Sequence, residues 1–224
     1  MKRLSIVMPV LDEAEGIVTT LQALAPLRAA GHEVIVVDGG SSDGTAELAM
    51  PLADRVVTSP RGRARQMNAG ALQAQGDVLL FLHADTVLPA GADRCVLQAL
   101  AAGRRWGRFD VRISGSSAWF GVIASFMNLR SRLSGIATGD QALFVERSLF
   151  HELEGYADQP LMEDIELSRR LRAVGRPACL RERVLTSGRR WESRGVWRTV
   201  LLMWQLRWRY WRGVSPEALA RAYK

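Results

Sequence analysis

The sequence predicts an α/β fold with a mostly parallel central sheet, helices on both faces and a C-terminal helical segment. In the first hundred residues, continuous apolar runs such as 78–82 are separated by helical patterns. Strands without alternating polarity are buried on both faces, which is typical of a parallel sheet between two helical layers. Acidic residues follow several of these strands, at the sheet edge where doubly wound folds bind ligands.

Each element follows from a local pattern along the chain. Strands are predicted at residues 4–10, 33–38, 55–59, 77–85, 104–114 and 141–146. Helices are predicted at residues 14–30, 45–53, 62–75, 117–135, 147–156 and 160–175. Because no linker rich in Gly, Ser or Pro and no repeat interrupts this order, we expect one domain over residues 1–188, with a helical extension over residues 189–224.

Composition and charge narrow the classes of function. The chain is 48% hydrophobic and 24% charged, which is ordinary for a globular protein. The segment 189–212 has seven Arg and one Glu, whereas residues 1–188 balance 21 basic against 21 acidic residues. This local charge argues against nucleic-acid binding by the whole chain. The two cysteines and the short N-terminal apolar run, which ends in acids, favour a cytoplasmic location without a secretion signal.

Acidic residues at strand ends suggest ligand chemistry. Asp38 and Asp85 each close an apolar strand, whereas Asp43 lies in a Ser-Ser-Asp-Gly-Thr turn and is better explained as a cap. Glu163 and Asp164 begin a helix. Mg²⁺ and Mn²⁺ prefer carboxylate oxygens and are usually shared with substrate phosphates. The pattern therefore predicts a divalent cation, a diphosphate and a general base.

Six separated motifs together resemble the family 2 glycosyltransferases. In chain order they are VMPVLDEAEGI, VVDGGSSDGT, GRARQMNAGA, LLFLHADT, GDQALFVERSLFHELEGY and EDIELSRRL, spread over residues 4 to 175. The chain is most similar to a short bacterial subgroup whose substrate is not settled. The resemblance implies a Rossmann-like nucleotide-sugar transferase domain, a nucleoside-diphosphate-sugar donor and inverting transfer to a hydroxyl acceptor.

The resemblance also implies donor and metal residues. The predicted donor-binding residues are Pro9, Glu13, Asp38, Arg65, Asn68, Ala84 and Asp85. The family's Asp-x-Asp metal motif is His83-Ala84-Asp85 here, so Asp85 is the expected ligand of Mn²⁺ or Mg²⁺. His83 replaces the first acid, and three roles remain open: ligating the metal, hydrogen-bonding the ribose or closing the strand. The last two are favoured over ligation. Of the three arginines at 61, 63 and 65, Arg65 is chosen for the phosphate or base contact.

The same resemblance implies the acceptor side. The family's Glu-Asp motif falls on Glu163-Asp164, where Asp164 would be the general base. Gly139 and Asp140 lie where the acceptor side begins in relatives, so Gly139 would allow close backbone approach and Asp140 would orient the sugar or the acceptor. Glu163 is placed on this side as a supporting group.

The C-terminal extension is rich in tryptophan. Trp197, Trp204, Trp208 and Trp211 share one helical face. Two interpretations carry equal weight. The helix packs on the domain, or it lies in the anionic interface at the inner face of the cell membrane. The second would suit a lipid-linked acceptor. The alternative activities are a nucleotidyltransferase acting on a sugar phosphate and, less favoured, nucleic-acid binding.

Overall fold

A computed structural model describes residues 2–223, apart from the side chain of Arg190. The predicted domain limits at Met1 and Lys224, and the Arg190 side chain in the basic segment, lie outside the described parts. The strands are β1 (Leu4–Val10), β2 (Glu33–Asp38), β3 (Arg55–Thr58), β4 (Val78–Phe81), β5 (Thr86–Val87), β6 (Trp106–Ser114), β7 (Phe144–Glu146) and β8 (Ala178–Ser187).

The strands form one eight-stranded sheet within the described residues, in the order β3-β2-β1-β4-β7-β6-β8-β5. Strands β1 to β4 run parallel to their neighbours within this group, as β6 does to β8. Strand β7 runs antiparallel to both β4 and β6, and β5 runs antiparallel to β8. This arrangement confirms the predicted α/β fold with a mostly parallel sheet.

The helices cover this sheet and continue beyond it. They are α1 (Ala14–Ala23), α2 (Ala25–Ala29), α3 (Thr45–Ala49), α4 (Arg63–Gln73), α5 (Ala92–Ala101), α6 (Phe120–Ser134), α7 (Arg147–Glu152), α8 (Glu163–Val174), α9 (Arg189–Arg194), α10 (Val196–Trp211) and α11 (Pro216–Tyr223). The single helix predicted over residues 14–30 is two helices. Pro26 starts the second, because proline has no N–H for a helix interior but is tolerated in a first turn.

Two hydrophobic cores lie on opposite faces of the sheet. Strand β1 is completely buried, and its side chains alternate between the two cores. Ile6 and Met8 pack with Ile17 of α1, whereas Val7 packs with Met67 of α4. Helices therefore cover both faces, as predicted, and the carboxyl ends of β1, β2 and β4 meet at one edge of the sheet.

The sequence analysis did not identify α5, β5 or β8. Strand β8 carries the exposed residues Arg181, Glu182 and Arg183 at its centre, so it lacks a buried apolar run. Its partner β6 supplies the register instead, from Gly107 opposite Ala178 to Ser114 opposite Ser187. The end of β8 is fixed to the loop after β4, because the amide of Ser187 donates a hydrogen bond to the Asp85 carbonyl at 3.1 Å.

The C-terminal helices pack on the start of α8. Leu206 of α10 and Leu219 of α11 are buried in a small core with Met162, which directly precedes α8. The tryptophan face of α10 points away from this core, since Trp204 and Trp208 are 69% and 58% exposed. Helix α10 is therefore packed on the domain along one side only. No helix in the described part of the chain is long and apolar enough to cross a bilayer.

Candidate active site

A cavity of about 310 Å³ lies at the carboxyl ends of β1 and β4. It is lined by Pro9, Val10, Leu11, Glu13, Arg61, Gly62, Arg63, Gln66, His83, Ala84 and Asp85. The structure thus brings together five of the predicted donor and metal residues: Pro9, Glu13, His83, Ala84 and Asp85. The cavity lies at the edge where an α/β sheet of this topology binds its ligand.

Hydrogen bonds between two loops form the rim of the cavity beside Glu13. The amide of Asp12 donates to the Ser41 hydroxyl at 2.9 Å, and the amide of Ser42 donates to the Asp12 carboxylate at 2.9 Å. Asp43 accepts from the amide of Ala14, the first residue of α1, at 2.9 Å. These bonds lower the flexibility of the loop after β1. Asp43 lies in the predicted turn and also accepts from the Thr45 amide at 3.0 Å, but the N-cap residue of α3 is Gly44.

Asp38 is engaged in its own turn. Its carboxylate is 6% exposed and accepts hydrogen bonds from the amides of Gly40 and Ser41 and from the Ser41 hydroxyl. These bonds close the turn after β2 and cap no helix, and Asp38 is not among the cavity-lining residues. A role for Asp38 in nucleotide binding stays a prediction.

Gln66 of α4 is a site residue that the sequence analysis missed. Its side-chain amide donates to the carbonyls of Val10 and Val37 at 2.7 and 2.9 Å, where β1 and β2 end. This buried amide joins the two strand ends behind the cavity and places α4 against them. A polar residue on the buried face of a predicted helix is the signal that points to such a role.

The arginine predicted from the sequence, Arg65, does not line the cavity. Arg65 is exposed and pairs with Asp158 at 2.7 Å, whereas Arg61 and Arg63 line the cavity. Residues two apart on a helix point in nearly opposite directions, so a helix that begins at Arg63 and presents it to the cavity turns Arg65 away. The predicted helix begins one residue from the observed start, so the missing information was which face of α4 packs on the sheet.

Asn68 also serves the scaffold instead of the cavity. Its side-chain amide donates to the Tyr156 carbonyl at 2.8 Å and accepts from the Tyr156 amide at 2.9 Å. Both polar ends are therefore used to fix the loop after α7. The prediction that Asn68 faces the nucleotide is not supported by this geometry.

Two acids in the cavity repel each other. Burial raises the pKa of Glu13 above its ordinary value, and the charge of Asp85 raises it further. Arg189, at the start of α9, lies 3.7 Å from Glu13 and lowers the same pKa. The C-terminal segment thus reaches the donor side of the cavity.

This donor set fits a divalent cation shared with phosphate. No cluster of three or more metal-binding side chains occurs among residues 2–223. Mg²⁺ is commonly held by one or two carboxylates, with waters and substrate phosphates completing its shell. Asp85 and Glu13 face one space and repel each other, as expected where a cation would arrive together with a diphosphate.

A second group of polar residues lies beyond His83. Residues Gly139–Gln141 form a short 3₁₀ turn before β7. The Gly139 amide donates to the Asp164 carboxylate at 2.9 Å, and the His83 ring lies 3.4 Å from the Asp140 carboxylate. Gly139 touches the ring so closely that a Cβ there would lie 2.5 Å from its Cε1 and Nε2 atoms. The turn therefore joins the cavity to the start of α8.

Glu163 and Asp164 occupy the first turn of α8. Burial raises the pKa of Glu163, and the neighbouring charge of Asp164 adds to this effect. Burial opposes the charge of Arg63, but the carboxylates of Glu163, Asp140 and Asp164 bring its pKa above the ordinary value. Arg63 therefore lies between the cavity and the acids predicted for the acceptor side, and it links the two parts electrostatically.

Two further arginines near these acids were not anticipated. Arg207 of α10 interacts with the charges of Asp164 and Asp140, and Arg130 of α6 interacts with the charges of Asp164 and Arg207. Neither belongs to a motif, because they come from separate helices that only the fold brings together.

Comparison with known proteins identifies the family. The model of "Glycosyl transferase family 2" matches residues 5–150, which is more than half of the chain. The chain belongs to the family 2 glycosyltransferases. The predicted family is thereby confirmed, and the matched region contains the cavity and the Gly139 turn.

A curated relative of this glycosyltransferase is the poly-β-1,6-N-acetyl-D-glucosamine synthase of Staphylococcus aureus (strain COL). The two are 28% identical over 182 residues, which is 73% of this chain but only 44% of the relative. The chain thus spans less than half the length of that protein.

Solved structures share the fold. S. aureus TarS 1-349 in complex with UDP superposes with a TM-score of 0.66 at 17% identity, over 83% of this chain and 60% of that one. The mannosyltransferase PcManGT from Pyrobaculum calidifontis, in complex with GDP-Man and Mn²⁺, gives 0.63 at 19% identity, over 82% and 56%.

Proposed function

We propose that the chain transfers a sugar from a nucleoside-diphosphate sugar to a hydroxyl acceptor, with inversion at the anomeric carbon. The observation that carries this proposal is the bridge from the Asp85 cavity through His83 and Gly139 to Asp164. This bridge supports a site with Asp85 on the side of a metal-bound diphosphate and Asp164 on the side of the acceptor. Family membership favours sugar transfer over nucleotidyl transfer.

The donor would bind in the cavity. Pro9, Glu13 and Ala84, with Asp38 behind them, would contact the nucleoside, and Arg61 and Arg63 supply positive charge for the phosphates. Mn²⁺ or Mg²⁺ held by Asp85 would neutralise charge on the departing diphosphate. The bound metals and nucleotides of the solved relatives support this proposal.

His83 is better suited to positioning than to ligation. One ring nitrogen faces the Asp140 carboxylate at 3.4 Å, and the Cε1–Nε2 edge packs against Gly139. Both sides of the imidazole are therefore in contact with the turn. We keep the two roles favoured from the sequence, in which His83 hydrogen-bonds the ribose or closes the strand.

Asp164 would act as the general base for the acceptor. Its carboxylate is oriented by the Gly139 amide and by the amide of Ile165 at 2.7 Å. It would take the proton of the acceptor hydroxyl as the oxygen attacks the anomeric carbon in a single displacement. A positioned base contributes roughly 10²–10⁴ in rate. Glu163 and Asp140 would support and orient the acceptor.

The exposed aromatic surface supports a lipid-linked acceptor at an anionic membrane. Trp211 is 79% exposed, and Trp197 contacts Trp119, which precedes α6, with ring centroids 4.8 Å apart. Helix α6 adds exposed Phe126 and Leu133. Aromatic side chains beside arginines are typical of helices that lie in a membrane interface.

Two substitutions test the proposed reaction separately. Asp85→Asn should weaken Mn²⁺-dependent binding of nucleoside diphosphate in calorimetry. Asp164→Asn should keep that affinity while transfer from a nucleotide-sugar panel falls about 10²-fold or more. The control is Glu166→Gln, since Glu166 pairs with Arg170 on α8. If Asp164→Asn transfers sugar at an unchanged rate, Asp164 is not the general base, and Asp140 is the next candidate.

A further inference from the structure

Arg130 has bonding capacity that the fold leaves unused. Its Nη2 is buried and has no hydrogen-bond partner among the residues that the structure describes. Burial and the charge of Arg207 together lower the pKa of Arg130 to about 10. A buried guanidinium nitrogen without a partner is costly, and an anion would satisfy it.

Arg207 brings a second positive charge to the same place. It follows the buried Leu206 on α10, and burial lowers its pKa. The charges of Asp164 and Asp140 act in the opposite direction, so Arg207 is close enough to these two carboxylates to interact with both electrostatically. Arg130 and Arg207 thus repel each other beside the candidate base, an arrangement that a bound anion would relieve.

An apolar groove begins at Arg130. The groove has a volume of about 480 Å³ and is lined by Phe126, Leu129, Arg130, Leu133 and Ser134 of α6. Phe126, Leu129 and Leu133 are 66%, 53% and 76% exposed. A monomeric protein rarely keeps such a run of large apolar side chains in water without a use for it. Arg130, which interacts with the charge of Asp164, is therefore the cation in this apolar lining.

We propose that Arg130 and Arg207 bind the anionic group of an amphiphilic acceptor, a phosphate monoester whose hydrocarbon chain lies in the α6 groove. This inference rests on the proposed function, because it takes Asp164 as the acceptor side of the site. The positive charges of Arg130 and Arg207 favour an anionic group, and the apolar lining of the groove favours a hydrocarbon chain. The acceptor hydroxyl would lie between the arginines and Asp164.

Calorimetry with alkyl phosphates tests the inference. Inorganic phosphate, hexyl phosphate and decyl phosphate, below their micellar concentrations, are titrated into the full chain saturated with nucleoside diphosphate and Mn²⁺, which occupy the donor cavity. Decyl phosphate should bind more tightly than hexyl phosphate, up to about fourfold per buried methylene group. Inorganic phosphate and the uncharged decyl maltoside should each bind at least tenfold more weakly than decyl phosphate.

Variants separate the anionic contact from the apolar one. Arg130→Gln and Arg207→Gln should each weaken decyl phosphate about tenfold or more, whereas the control Arg169→Gln, exposed on α8, should not. Leu133→Ser should reduce the dependence on chain length. A melting curve and the Arg130→Lys variant show whether a loss of decyl phosphate binding comes from misfolding. If Arg130→Gln misfolds, Arg207→Gln and Leu133→Ser still test the inference.

Three results would overturn the inference: no binding of decyl phosphate, equal binding by the Arg130→Gln and Arg207→Gln variants, or inorganic phosphate binding as tightly as decyl phosphate. The last would indicate a free phosphate as the ligand. Failure of nucleoside diphosphate to bind in the first step would instead contradict the proposed function, so the two failures are distinguishable.

Discussion

Gly139→Ala should lower both the transfer rate and the stability, although Gly139 has no side chain that could react. The new Cβ would lie 2.5 Å from two ring atoms of His83, whereas ordinary contact begins near 3.4 Å. The ring or the turn must therefore move by roughly 0.9 Å, and the amide held by Asp164 moves with the turn. Displacements of about 1 Å near reacting groups cost about 10²-fold in rate, and overpacking costs about 1–3 kcal/mol of stability.

The assay combines release of nucleoside diphosphate from the donor with thermal melting. Gly16→Ala is the matched control, because nothing lies within 4 Å of its added Cβ and the residue is helical in α1. Adding His83→Ala to Gly139→Ala should recover part of the melting temperature, since the collision is removed. If Gly139→Ala keeps both the rate and the melting temperature of Gly16→Ala, the close contact between the turn and His83 is refuted.

Three other predictions concern charge and exposure. Arg63→Ala should weaken binding of nucleoside diphosphate about tenfold or more in calorimetry, while Arg65→Ala should not. Because burial raises the pKa of Glu163, its ionisation destabilises the folded state as pH rises above the unfolded value. Glu163→Gln should therefore raise the melting temperature at pH 8 and not below about pH 4. Replacing Trp204 and Trp208 by Ala should abolish the salt-sensitive flotation of the protein with anionic vesicles. Because both tryptophans are exposed, donor binding and the melting temperature should stay nearly unchanged. A lower melting temperature with unchanged flotation would contradict the membrane interpretation.

The first half of the sheet could be predicted because its strands are buried on both faces. Strand β1 and strand β2 match their predicted bounds, since continuous apolar runs leave little choice of register. Strand β8 could not be predicted, because it is half-exposed and its hydrogen bonds depend on β6, about 70 residues earlier in the chain. Local pattern therefore carries more information about strands buried on both faces than about the half-exposed β8.

Some residues of the candidate site could be predicted from the sequence and others could not. Asp85 and Ala84 come directly from a motif at a strand end, and they line the cavity as that position implies. Arg65 lies outside the cavity because the packing of Gln66 and Met67 on the sheet decides which face of α4 is presented there, and the sequence does not show this packing. Arg130 and Arg207 lie on different helices, so no spacing within the sequence relates them.

The packing of the C-terminal helices ties the two halves of the site together. Residues 178–187 are bonded to the Asp85 loop at one end, and the chain then continues into α10, whose Leu206 packs against Met162 just before Asp164. A chain shortened to residues 1–188 would expose Met162 and lose the contact of Arg189 with Glu13. Such a truncation is expected to aggregate or to lose donor binding, so the extension cannot be treated as a detachable tag in expression or engineering of this glycosyltransferase.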